Sequence, residues 1–106
     1  MNLTGDLDDA VHQRIRLGML ALLREVDRAD FTFLRDTLEL TDGVVHRHLK
    51  VLEDAGLIDV EKGYEGRRPR TRVRLSSAGK AALDKEIAAL KRIVERVERA
   101  AGAEPA

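Results

Sequence analysis

Apolar side chains recur at Leu7, Val11, Ile15, Met19, Leu22 and Val26, in steps of four and three that place them on one face of a helix. The spacing predicts a first helix from Asp6 to Val26, capped by Asp6, with Asp8 and Asp9 near the positive end of its dipole. Gly18 weakens the middle of that pattern, and a break near His12–Gln13 is the alternative. A second, shorter helix is expected over Phe31 to Leu38, capped by Asp30, with Leu34 and Leu38 facing inward. Leu40-Thr41-Asp42-Gly43 then reads as a tight turn into a third helix. Thr41 is its cap, Val45, Leu49 and Leu52 its apolar stripe, and Asp54-Ala55-Gly56 its stop.

From Leu57 the hydrophobic period drops to two. Leu57 to Gly63 and Arg70 to Leu75 alternate apolar and charged residues around Gly66 and Pro69, so a β-hairpin is expected. Turning Ile58, Val60, Val73 and Leu75 inward sets its register, pairing Val60 with Val73 and Ile58 with Leu75. The same register puts Glu61 opposite Arg72 and Asp59 opposite Arg74. Pro69 is expected to stiffen the tip and Gly66 to permit its turn. Ser76 or Ser77 caps a last helix of about six turns to roughly Ala101, and Gly79 in its first turn lets it sit close on the hairpin.

In that helix Leu83, Ile87, Leu90, Val94, Val97 and Ala101 follow steps of 4, 3, 4, 3 and 4, the narrow seam of a coiled coil. It packs either on the first helix of its own chain or on a second copy. At about 27 Å it outruns a compact three-helix core. A homodimer through Leu83, Ile87, Leu90, Val94 and Val97 is the expectation. The whole chain, residues 1–106, reads as one mainly α domain with a small β-hairpin. It divides into helix-turn-helix (about 31–55), hairpin (about 57–75) and C-terminal dimerisation helix (about 77–101).

Composition narrows the chemistry. The chain has no cysteine, which removes disulfides and thiolate metal sites. No apolar run is long enough for a membrane span, and the acidic start is unlike a signal peptide, so a soluble cytoplasmic protein is expected. His46 and His48 point about 200° apart on a helix and cannot share a metal. His12 is read without an obvious carboxylate partner, and His48 is expected at the edge of the core. With no clustered acid, base and nucleophile and no glycine-rich phosphate loop, neither enzyme activity nor a cofactor is expected.

Net charge is zero, 19 basic against 19 acidic side chains, yet Arg67, Arg68, Arg70, Arg72 and Arg74 fall within eight positions. Arg72 and Arg74 have Glu61 and Asp59 across the hairpin. Arg67, Arg68 and Arg70 have only Glu65 nearby, and so call for an outside anion such as DNA phosphate or a narrow minor groove. On the third helix the face away from the core carries Thr41, Asp42, Gly43, Val44, His46, Arg47 and Lys50. Gly43 admits a close backbone, Val44 suits a thymine methyl, Arg47 reaches guanine and Lys50 suits phosphate. Asp42 either reads a cytosine amino group or serves only the helix dipole. The competing reading of this face is an ordinary solvated surface.

The segments "RLGMLALL" (16–23), "LTDGVVHRHLKVLEDAGLI" (40–58) and "GRRPRTRVRLSSAGKAAL" (66–83), in this order and spacing, resemble the winged helix-turn-helix domain of MarR- and ArsR-type bacterial transcriptional regulators. The resemblance covers about residues 12 to 83. It implies a third helix in the major groove and a hairpin wing along the backbone or minor groove, with Arg67, Arg68, Arg70 and Arg72 as wing contacts. The cysteine pair of the metal-sensing members is missing, and the resemblance leaves the effector ligand open. The function expected is sequence-specific binding of double-stranded DNA by a homodimeric regulator. The alternative is a winged helix that docks a protein partner without reading DNA.

Overall fold

A computed structural model describes residues 2–102. The elements are α1 (Arg14–Glu25), β1 (Ala29–Asp30), α2 (Phe31–Thr37), α3 (Asp42–Asp54), β2 (Ile58–Glu65), β3 (Arg68–Leu75) and α4 (Ser77–Gly102). The strands form one antiparallel sheet in the order β1-β3-β2. Met19, Leu20 and Leu23 of α1, Leu34 of α2, Val45, Leu49 and Leu52 of α3, Val73 of β3 and Leu83 of α4 meet in one aliphatic core. The third-helix stripe and the inward hairpin positions are therefore where the spacing put them.

The first helix starts eight residues later than its apolar period suggested. Gln13 takes an extended conformation, and its Oε1 accepts from the backbone N–H groups of Ile15 and Arg16, both at 2.9 Å. The chain before it turns at Asp8, whose carboxylate accepts from Ala10 N–H at 2.8 Å. Val11 is nevertheless fully buried, so the apolar period survived although the helix did not. Glu86 of α4, also fully buried, fastens this segment by accepting from Asp8 N–H at 3.2 Å and pairing with His12 Nδ1 at 2.7 Å. His12 thus has a carboxylate partner, supplied from far along the chain.

The hairpin is longer and its tip tighter than the alternation implied. Pairing runs from Ile58↔Leu75 to Glu65↔Arg68 and includes the expected Val60↔Val73, Glu61↔Arg72 and Asp59↔Arg74. Only Gly66 and Arg67 remain as the turn. Gly66 has φ +63°, as a two-residue turn with glycine first requires. Pro69 lies inside β3, opposite Tyr64, rather than in the tip. Gly79 brings α4 against the start of β2 so closely that a Cβ there would stand 1.9 Å from the Leu57 carbonyl oxygen. Ser76 Oγ accepts from Gly79 N–H at 2.9 Å and donates to the Gly56 carbonyl at 2.7 Å, which fixes that junction.

Two similar C-terminal caps orient α3. After α3, Leu57 N–H reaches the Leu52 carbonyl and Gly56 N–H the Glu53 carbonyl, a Schellman arrangement with Gly56 at φ +74°. After α2, Leu40 N–H reaches the Arg35 carbonyl and Glu39 N–H the Asp36 carbonyl, with Glu39 in the left-handed position at φ 54°. A side chain there costs roughly 1–2 kcal/mol, partly offset by what glycine loses in the unfolded chain. Glu39→Gly is expected to raise unfolding free energy by about 0.5–1 kcal/mol in a denaturant titration. An unchanged or lower midpoint would show that Glu39 relieves its strain through its side chain.

His48 is buried on the inner side of α3. Its Nδ1 accepts from Arg16 Nη1 at 3.1 Å, while Nε2 has no partner among the described residues. Burial first, then the Arg16 and Arg47 charges, hold its pKa below 6.5. Because the folded pKa is depressed, the neutral ring's contribution is complete above 6.5 and is lost as pH falls through the folded value. Between pH 7.5 and 5, wild type should therefore lose more stability than His48→Gln. Equal losses in urea titrations would contradict this.

Candidate nucleic-acid interface

α3 begins where Thr41 Oγ1 accepts from Val44 N–H at 3.3 Å, so Thr41 is a true cap. Its outward face presents Asp42, Gly43, His46, Arg47 and Lys50, all exposed, with Val44 half-buried beside them. A Cβ on Gly43 would meet nothing within 4 Å, which leaves the backbone there open to a large ligand. Arg47 makes no ion pair among the described residues, and Lys50 reaches Asp54 one turn on at 3.4 Å. The His46 ring lies over Phe31 of α2, centroids 4.5 Å apart. Asp42 is occupied, since its carboxylate accepts from Arg35 Nη1 at 3.0 Å. Arg35 also bonds Asp36 at 2.9 Å, and these two carboxylates raise its pKa. The Asp42 charge at the start of α3 is thereby offset from α2.

The wing arginines sort differently from the expectation. Arg70, expected to have only Glu65 nearby, is the most engaged. Its Nε and Nη2 donate to the two oxygens of Asp30 at 3.0 and 2.8 Å, and its Nη1 donates to Glu65 at 2.7 Å. Arg72 lies 3.7 Å from Asp30 rather than paired to Glu61, which instead meets Arg28 at 3.4 Å. Arg74 forms no ion pair among the described residues, although Asp59 is its cross-strand neighbour.

The cause is β1. It pairs with β3, setting Asp30 opposite Arg72, and on a strand Arg70 shares that face two residues away. Asp30 was read as the cap of α2. It has the extended backbone of a cap but makes no side-chain cap bond, because Arg70 holds its carboxylate. That hydrogen bond, and the Arg70 and Arg72 charges, keep the Asp30 pKa below 3.8 against the opposing effect of burial.

Arg67 and Arg68 remain exposed and without an ion pair among the described residues. A cleft of about 360 Å³ separates wing from helices, lined by Phe31, Thr32 and His46 on one side and Glu65, Arg68 and Arg70 on the other. His46 of α3 and the wing thus border the same space. Among the described residues no His, Cys, Asp or Glu cluster is placed to hold a metal, and no helix is long and apolar enough to cross a membrane.

The seam on α4 divides in two. Leu83 is buried in the protomer's own core and Leu90 is half-buried, so Leu83 is not free to form an interface. Ile87, Val94 and Val97 are 39%, 53% and 63% exposed. The inward face runs instead through Gly79, Leu83, Glu86 and Ala89.

A family model described as a winged helix DNA-binding domain matches residues 15–94. An uncharacterised protein of Methanocaldococcus jannaschii is 30% identical over 84 residues, covering 79% of this chain and 91% of its own. A transcriptional regulator homologue from Pyrococcus horikoshii OT3 superposes with a TM-score of 0.77 at 28% identity, covering 83% of this chain and 87% of its own. The M. tuberculosis transcriptional regulator MOSR, solved in complex with DNA, shares the fold at 21% identity with a TM-score of 0.69, over 90% of this chain and 68% of its own.

Proposed function

The chain belongs to the winged helix DNA-binding domain family, and on that premise we propose that it binds double-stranded DNA sequence-specifically as a homodimeric transcriptional regulator. The observation that carries this reading is the shared cleft. His46 of α3 and Arg68 and Arg70 of the wing line it, Arg47, Lys50 and Arg67 are exposed on the same helix and wing, and Arg67 and Arg68 have no carboxylate partner among the described residues. Arg47 would read a base edge, with Gly43 and Val44 allowing the helix to seat. Lys50, Arg67 and Arg68 would neutralise phosphates. Arg70 and Arg72 hold the wing in place. The protein acts by occupying its site, not by chemistry.

Dimerisation is supported by the far end of α4. Every residue from Val94 to Gly102 is exposed, and the protomer measures 66 Å along its long axis against 25 and 22 Å across. A helix end that packs on nothing gains little stability from hydrogen bonds alone. With Val94 and Val97 on its surface, a second copy supplies the missing contact.

A dimer making about six to ten phosphate contacts should lose roughly 10³–10⁵ in affinity between 50 and 200 mM salt. In fluorescence titrations of labelled duplex, the double variant Arg67→Ala/Arg68→Ala should bind more weakly. It should also flatten the plot of log affinity against log salt by about 0.9 per lost contact. Wild-type binding that is absent at low salt or indifferent to salt would overturn the DNA reading.

Val94→Glu should give a folded monomer in sedimentation and circular dichroism, because Val94 is not part of the protomer's core. Loss of the tethered second half should weaken a two-half-site operator by about 10²–10⁴. A folded dimer with undiminished affinity would place the interface elsewhere.

A further inference from the structure

The Asp30 carboxylate takes the Nε and Nη2 side of the Arg70 guanidinium, and Glu65 takes Nη1. We propose that Glu65 stands in for a DNA phosphate in the free protein, and that the backbone of a bound duplex displaces it from Arg70. This rests on the DNA-binding reading above and adds a device to it, a self-made competitor that the nucleic acid must remove.

The two carboxylates on Arg70 differ in how firmly they are held. Asp30 lies at the junction of β1 and α2, is 36% exposed, and binds through two parallel hydrogen bonds. Such a fork fixes both partners. Glu65 is the last residue of β2, 72% exposed, and binds through one. Its charge is already well solvated, so leaving Arg70 costs little. A guanidinium offers five N–H donors in a plane, and the edge that Glu65 covers is the one that accepts a phosphate oxygen as readily as a carboxylate. Asp30 therefore orients Arg70, and Glu65 covers its working edge.

Position supports the same assignment. Glu65 lines the cleft between wing and helices together with Thr32, His46 and Arg68. Asp30, the other carboxylate there, is neutralised by Arg70 and Arg72. Glu65 is thus the removable anion in a space bordered by Arg68 and Arg70. While it stays, the cleft is close to neutral and attracts polyanions weakly. Once a phosphate replaces it, Arg70 joins Arg68 in gripping the backbone. Arg67 and Arg68 carry no such cover and make first contact.

The test is a double-mutant cycle on duplex affinity at fixed salt. Glu65→Gln should tighten binding about two- to fivefold per half-site, the range that one exposed ion pair accounts for, with an unchanged melting temperature. In an Arg70→Lys background, which leaves Asp30 a cation but offers no second planar edge, the gain should fall below about twofold. An equal gain in both backgrounds would mean that Glu65 merely repels DNA, and would overturn the proposal. So would no gain in the wild-type background, or a fall of several degrees in melting temperature, which would make Glu65 a brace of the wing. A wild-type protein without salt-sensitive duplex binding overturns the DNA reading itself. A wild type that binds while Glu65→Gln gains nothing overturns only the displacement by phosphate.

Discussion

The bidentate bond between Asp30 and Arg70 is the constraint on which the rest of the interface depends. A two-stranded hairpin is marginal on its own in water, and here β2 and β3 carry exposed side chains over most of their outer half. Ala29 and Asp30 add a third, very short strand to β3, and the Asp30 carboxylate then takes hold of Arg70. That attachment lies where α2 begins. It therefore sets the distance between the wing and the helix pair that carries α3. The cleft between them has a defined width because both its walls are tied to Asp30.

Charge distribution follows from the same attachment. A neutral chain can concentrate arginine on one strand because two carboxylates reach it, Asp30 from β1 and Glu65 from the end of β2, whereas Glu61 turns away to Arg28. Arg70 and Arg72 are compensated within the protein, while Arg67, Arg68 and Arg74 carry no ion pair among the described residues. Arg35 of α2 performs the equivalent service for α3, taking up Asp42 at its start. The outward face is left more basic than its sequence suggests.

Much of this was legible in the residues, for identifiable reasons. Period-3.6 and period-2 patterns placed α3, its Thr41 cap, its Gly56 stop and the hairpin register, because each rests on neighbours close in sequence or on one alternating face. What escaped rests on distant partners. β1 is two residues long and has no period. Asp30 has the backbone of a cap, and only its pairing with a strand 40 residues later reveals its other use. Glu86 looks like one more polar position on α4, yet it is buried against the segment before α1. The α4 seam obeys one spacing throughout, but spacing does not distinguish a partner in the same chain from a second copy. Leu83 turned inward while Val94 and Val97 stayed outside. Among the site residues, the exposed face of α3 and the wing-tip pair Arg67 and Arg68 were readable, whereas the roles of Arg70 and Asp30 were not.

The central claim is that α3 and the wing together read duplex DNA as a symmetric pair. Repeated selection of bound duplexes from a random pool, followed by sequencing, tests it most directly. Two inverted half-sites should be enriched, their centres one helical turn or a multiple of it apart, about 10–10.5 base pairs per turn. A pool that stays random through successive rounds, while the protein remains folded, would contradict it.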